Sequence, residues 1–206
     1  MKIVFMGTPD FAVPSLQGLI DDGHEILAVY TQPDKPVGRK QVLTPPPVKA
    51  LALEHGLPVY QPTKMRDGTV AAQLRELAPD LIAVVAYGRI LPKEILEIPP
   101  YGCINVHGSL LPKYRGAGPI QWSVINGEAE TGITTMYTDK GMDTGDMLAR
   151  VSLPIGRMNG GELHDALAEA GAKLLVETLP RLAAGTITPE PQDDSRASYA
   201  GMIRKQ

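Results

Sequence analysis

Lys2-Ile3-Val4-Phe5-Met6, followed by Gly7-Thr8-Pro9-Asp10, is a short apolar run that breaks at once into a turn. β-Branched and aromatic side chains make the run strand-like. Thr8 is placed to cap a following helix with Pro9 at its first position, although Pro14 points to a start further along. Leu16, Leu19 and Ile20 then form an i, i+3, i+4 stripe that Gly23 stops. Residues 25–30 are a second apolar run, and strand, helix, strand in about thirty residues is a βαβ unit with a right-handed crossover. Further on, Leu81-Ile82-Ala83-Val84-Val85-Ala86 is continuously apolar, as a central parallel strand covered on both faces must be. The expectation is an α/β chain: a Rossmann-like, mostly parallel sheet with helices on both faces. The glycine pattern G-x-G-x-x-G is absent after the first strand, where Gly7 stands alone, so the case for a dinucleotide is poor.

With 206 residues, 43% hydrophobic and 21% charged, the chain has ordinary globular composition and enough length to bury a sizeable core as one α/β domain. A net charge of -3 argues against a surface that is basic overall, so nucleic acid would have to be met by a local patch. The single cysteine, Cys103, excludes an intrachain disulfide framework and suits a reducing compartment. The apolar run at the N-terminus is too short for a signal peptide, and no stretch approaches the ~20 apolar residues of a membrane span. A soluble, cytoplasmic protein is expected.

Residues 31–48 read as a long proline-rich loop containing Gln32-Pro33-Asp34-Lys35-Pro36-Val37-Gly38-Arg39-Lys40. Loops of this length are uncommon in a compact domain unless functional or disordered. Lys35, Arg39 and Lys40 make it the best local candidate for touching phosphate, although on charge alone it also reads as a solvated surface loop. A helix follows around Val48, Leu51 and Ala52, then a strand at 56–60, an amphipathic helix at 67–77, the strand at 80–86 and a short helix at 92–96. In open α/β sheets ligands bind beyond the carboxyl ends of strands, so the loop Tyr87-Gly88-Arg89-Ile90-Leu91-Pro92 should line a crevice with whatever ends the next strand. Pro119 opens a helix, and strands at 131–138 and 147–153 flank a polar hinge. A long helix spans 161–184. After Gly185 the Pro/Asp/Ser-rich composition suggests catalytic residues 1–188 and a linker beginning at 189–206.

That next strand is Cys103-Ile104-Asn105-Val106-His107, running into Gly108-Ser109-Leu110-Leu111-Pro112. Alternation puts Asn105 and His107 on one face, with Ile104 and Val106 on the other. The histidines, 24, 55, 107 and 164, show no metal-ligand spacing, and a G-x-S-x-G elbow is missing. An amide beside an imidazole suits acyl-type transfer without a covalent intermediate: Asn105 faces the oxyanion and His107 handles a proton. A carboxylate would orient the imidazole. Asp143 is the best placed, but Asp139 and Asp146 are close in sequence, and spacing cannot choose among the three.

These residues resemble a known family. Gly7-Thr8-Pro9-Asp10-Phe11-Ala12, Thr31-Gln32-Pro33-Asp34-Lys35-Pro36, Asn105-Val106-His107-Gly108-Ser109-Leu110-Leu111-Pro112 and Asp143-Thr144-Gly145-Asp146 are similar to the methionyl-tRNA formyltransferases, within the folate-dependent formyltransferases. The resemblance implies a formyltransferase fold and transfer of a formyl group from 10-formyltetrahydrofolate, with no metal, to the amino group of methionyl initiator tRNA. It implies Asn105, His107 and Asp143 as catalytic residues. It also implies folate contacts at Ser109, Leu110, Leu111 and Pro112, at Tyr87, Gly88, Ile90 and Leu91, and at Asp139. Arg39, with Lys35 and Lys40 beside it, matches a basic loop approaching tRNA. The family pattern continues into a second, C-terminal domain, toward which residues 189–206 would lead, and a monomer is expected. Glycinamide ribonucleotide and sugar-amine formyltransferases share the Asn-x-His signature, and a folate-binding module without turnover is the remaining reading.

Overall fold

The structure is a computed structural model that describes residues 1–204. The chain divides into two compact units, Met1–Ile104 and Asn105 onward. The first holds β1 (Lys2–Gly7), α1 (Val13–Asp21), β2 (Glu25–Tyr30), β3 (Lys35–Val37), β4 (Val42–Thr44), α2 (Pro47–Glu54), β5 (Val59–Tyr60), α3 (Thr69–Leu77), β6 (Leu81–Val85) and α4 (Lys93–Leu96). β7 (Cys103–His107) leads into the second, with α5 (Pro119–Ile125), β8 (Glu130–Tyr137), β9 (Met147–Pro154) and α6 (Gly160–Ala183). Hydrogen bonding orders seven strands as β5-β2-β1-β6-β7-β8-β9, a mostly parallel sheet.

In the first unit β1 is central, parallel to β2 on one side and β6 on the other. Its alternate residues fill two layers. Val4 and Met6 join Ala28, Tyr30, Ile82 and Val84 under Val70, Ala71 and Leu74 of α3 and Ile95 of α4. Ile3 and Phe5, pointing the other way, are equally buried, and α1 packs on β2 and α2. Each such side chain contributes on the order of 1.5–3 kcal/mol by leaving water. Gly7 is required by close approach: a Cβ there would lie 2.7 Å from the Val85 carbonyl oxygen.

Two local expectations fail. Thr8 caps no helix; its hydroxyl donates to the Tyr87 carbonyl at 3.0 Å and accepts from the Gln32 N–H at 3.2 Å. The chain instead makes a 3₁₀ turn over Asp10–Ala12, and α1 starts at Val13 with Pro14 in its first turn. The 31–48 segment is not a plain loop, because β3 and β4 pair antiparallel as a hairpin turning at Gly38 and Gln41, both at positive φ.

In the second unit β8 and β9 are antiparallel, and α6 packs on both. A capping box opens α6: the Glu162 N–H donates to the Asn159 side chain at 2.8 Å, and the Asn159 N–H donates to Glu162 at 3.2 Å. Leu163, Leu167, Leu174, Leu175 and Leu179 form its buried face, and Gly171 leaves room for Val106 of β7. Residues beyond α6 return along the unit: Glu190 bridges Met147, and Tyr199 bridges Arg115.

Candidate active site

The site in the second unit is built on the end of β7. His107 is the last strand residue and almost fully buried. After it the chain folds back through a tightly bonded turn. Thr134 of β8 donates to the Ser109 carbonyl at 2.7 Å and accepts from the Leu111 N–H at 3.1 Å. The Ser109 hydroxyl donates to the Lys113 carbonyl at 2.6 Å. Leu111 packs against Met136 and Met147. These bonds aim the Tyr114 carbonyl back at the strand, where His107 Nε2 lies 2.8 Å from it.

A carbonyl can only accept, so Nε2 carries a hydrogen and Nδ1 is the nitrogen left for chemistry. Nδ1 faces Asp143 Oδ1 at 3.8 Å, an electrostatic contact longer than a hydrogen bond. The other Asp143 oxygen accepts from the Gly116 N–H at 2.7 Å. Asp143 has φ 55°, a left-handed backbone uncommon outside glycine. Asp139 is exposed and accepts from the Gly141 N–H and the Thr144 hydroxyl within its own turn. Asp146 is exposed and enters this network through its backbone carbonyl, which takes the Tyr137 N–H. Asn105, two residues before His107, is half-buried, and no described residue engages its carboxamide.

In the first unit the loop after β6 is held as firmly. Ala86 and Gly88 have positive φ. The Gln32 amide donates to the Tyr87 and Gly88 carbonyls at 3.3 and 3.0 Å, its oxygen accepts from Arg89 Nε at 3.1 Å, and Arg89 reaches the Thr63 carbonyl. Tyr87 is a core residue whose hydroxyl meets the Met65 sulfur, and burial pushes its phenol up to about 12. Leu91 is also core, whereas Gly88 and Ile90 are exposed. Lys35, Arg39 and Lys40 stand exposed on the β3–β4 hairpin beside exposed Val37, Val42 and Leu43. Among the described residues no cluster of His, Cys, Asp or Glu could hold a metal, and no helix is long and apolar enough to cross a membrane.

The profile of the formyl transferase family matches residues 1–179. The chain belongs to the formyl transferase family. Along its whole length it is 58% identical to the methionyl-tRNA formyltransferases of Ruminiclostridium cellulolyticum and Geobacter metallireducens. It spans 66% and 67% of those relatives, about two thirds of their length. Two solved structures share the family's fold. Glycinamide ribonucleotide transformylase 1 from Symbiobacterium toebii superposes with a TM-score of 0.76 at 17% identity, over 94% of each chain. An N-formyltransferase from Helicobacter canadensis, solved with folinic acid and dTDP-3-aminofucose, superposes with a TM-score of 0.74 at 22% identity, over 98% of this chain and 71% of that one.

Several structural partners of this candidate site carry no sequence signature. The Tyr114 carbonyl and the Gly116 N–H are backbone groups, invisible to residue patterns. Gln192, in the stretch read as a linker, donates to the Asp143 and Gly145 carbonyls, both at 2.8 Å. Thr134 shows only as one residue of an alternating strand.

Proposed function

We propose that this chain carries the formyl-transferring portion of a methionyl-tRNA formyltransferase, with residues 1–188 as the catalytic part and the described residues after them packed back onto it. The donor is 10-formyltetrahydrofolate and the acceptor is the amino group of methionine on initiator tRNA, in the cytoplasm. The observation that carries this reading is the His107 ring, tied at Nε2 to a backbone carbonyl with Nδ1 turned to Asp143.

As the acceptor amine attacks the formyl carbon, negative charge grows on the formyl oxygen. Asn105 donates its carboxamide N–H to that oxygen, and the imidazolium form of His107, with a hydrogen on each ring nitrogen, adds Nδ1–H as a second donor. Asp143 holds the imidazole and, across a distance that closure or one water would bridge, relays the proton lost by the amine toward the leaving nitrogen of the folate. The carbon–nitrogen bond to the folate then breaks and the carbonyl re-forms. No covalent bond to the enzyme is needed.

For the folate, Gly88 and Ile90 of the first unit offer exposed loop surface, Leu110 and Pro112 of the second are half-buried, and Asp139 lies in the exposed segment that leads to Asp143. Tyr87, Leu91, Ser109 and Leu111 support these segments from within the core. Lys35, Arg39 and Lys40 on the exposed hairpin suit phosphate contacts with tRNA.

The test supplies formyl donor with three acceptors in turn: charged initiator tRNA, glycinamide ribonucleotide and an amino-sugar nucleotide. Formyl-methionyl product in the first supports the reading. Turnover confined to either other acceptor refutes it, and folate binding without turnover on any acceptor reduces the chain to a binding module.

A further inference from the structure

We propose that Gln192 is a positioning residue for Asp143, locking the carboxylate turn through a fork of hydrogen bonds anchored on buried Arg115; this rests on the catalytic reading of Asp143. A non-glycine residue at positive φ persists only where its surroundings over-determine it. Asp143 has two such constraints. The Gly116 N–H fixes one carboxylate oxygen, and Gln192 fixes the backbone on both sides of Thr144 by donating to the Asp143 and Gly145 carbonyls. The orientation of the Gln192 amide is itself determined. Its nitrogen faces two acceptors, and its oxygen accepts from Arg115 Nε at 3.0 Å, so a flipped amide would lose all three bonds.

Arg115 is buried, and its Nη2 donates to Asp194 at 2.8 Å. Its backbone pairs on both sides with the returning segment, donating to the Ser198 carbonyl at 2.9 Å and accepting from the Ala200 N–H at 2.7 Å. Gln192 therefore hangs from a rigid support rather than from a free tail. Gln32 makes a similar fork in the first unit, with the adjacent carbonyls of Tyr87 and Gly88 on its nitrogen and an arginine Nε on its oxygen. One device thus holds a positive-φ loop in each unit.

Gln192→Met keeps the side chain's length and removes the fork. The expected result is a kcat lower by about 10–100-fold, the scale of a misplaced catalytic group, with KM for the formyl donor changed less than about threefold and folate binding retained by calorimetry. In an Asp143→Asn background, Gln192→Met should have no further effect on kcat, because two changes acting through one group are not additive. The proposal is overturned if Gln192→Met leaves kcat per folded molecule unchanged, or if its effect multiplies with that of Asp143→Asn. Should Gln192→Met unfold the chain, Arg115→Lys, which loses the planar fork but keeps the buried charge, carries the same kcat and cycle criteria. If Asp143→Asn alone leaves kcat intact, it is the catalytic reading that fails.

Discussion

The two nitrogens of His107 have separable jobs, and carboxamide replacements can separate them. In His107→Gln the side-chain amide reaches the position of Nε2 and can still donate to the Tyr114 carbonyl. In His107→Asn the shorter amide occupies the position of Nδ1 and abandons that carbonyl. The Tyr114 oxygen would keep only the long 3.3 Å bond from the Ser109 hydroxyl. Leaving a buried acceptor so weakly paired costs about 1–2 kcal/mol, the low end of the range because one partner remains. For a domain of this size that is a fall in Tm of roughly 2–8 °C. His107→Gln should therefore melt within about 2 °C of the wild type, yet lose about 10²–10⁴-fold in single-turnover formyl transfer, because nothing at the Nδ1 position can carry a proton. His107→Asn should melt lower but retain the greater residual rate, since it still offers a donor near the developing oxyanion. Circular-dichroism melts and rapid-quench transfer assays on both variants read the two quantities. The reverse pattern, a destabilised and more active His107→Gln beside a stable, inactive His107→Asn, would make Nε2 the reacting nitrogen and overturn the assignment.

Burial pushes the Cys103 thiol up to about 12. The unfolded thiol ionises from about 8.5, so the stability linked to this group is complete below that pH and falls by about 1.4 kcal/mol per unit as pH rises toward 12; urea melts of Cys103→Ala should show a shallower alkaline decline than the wild type. Gly145→Ala drives a Cβ into the Tyr137 carbonyl, so it should destabilise by about 1–3 kcal/mol and lower kcat with it; a melt matching the wild type would mean the turn yields freely. Arg39→Ala should weaken use of tRNA and reduce the salt slope of tRNA binding by somewhat under one, leaving folate binding unchanged by calorimetry; an unaltered slope would remove this residue from the tRNA surface.

The parts of the fold that were legible in the sequence are those where burial dictates residue type over several consecutive positions. Leu81–Val85 is apolar throughout because a central strand is covered on both faces, and α6 shows its leucine face because one side alone is buried. Thr8 matches a capping pattern because a hydroxyl before a proline satisfies one whatever it eventually bonds. Its real partners, Tyr87 and Gln32, are 79 and 24 residues away. The β3–β4 hairpin leaves no sequence signal because its strands are three residues each and wholly exposed, so no alternation marks them. Asn105 and His107 were visible through their two-residue spacing on a strand. The facing of Asp143 toward His107 was not, since it depends on a left-handed backbone that no residue type at that position demands.

Tyr114, Arg115 and Gly116 tie His107 and Asp143 to one another more tightly than their separate bonds suggest. Tyr114 fixes the His107 ring through its carbonyl, Gly116 fixes an Asp143 oxygen through its N–H, and Arg115 between them fixes Gln192 through its side chain. Three consecutive residues share a backbone, so a shift of this tripeptide moves the imidazole and the carboxylate together. The segment at 198–200 holds the tripeptide in turn, through the Ser198 hydroxyl on the Tyr114 N–H and the backbone bonds on either side of Arg115. Loosening that segment should therefore lower turnover as one cooperative step, with His107 and Asp143 losing register at once. The pairing of 198–200 with the tripeptide makes this segment part of the support of the candidate site.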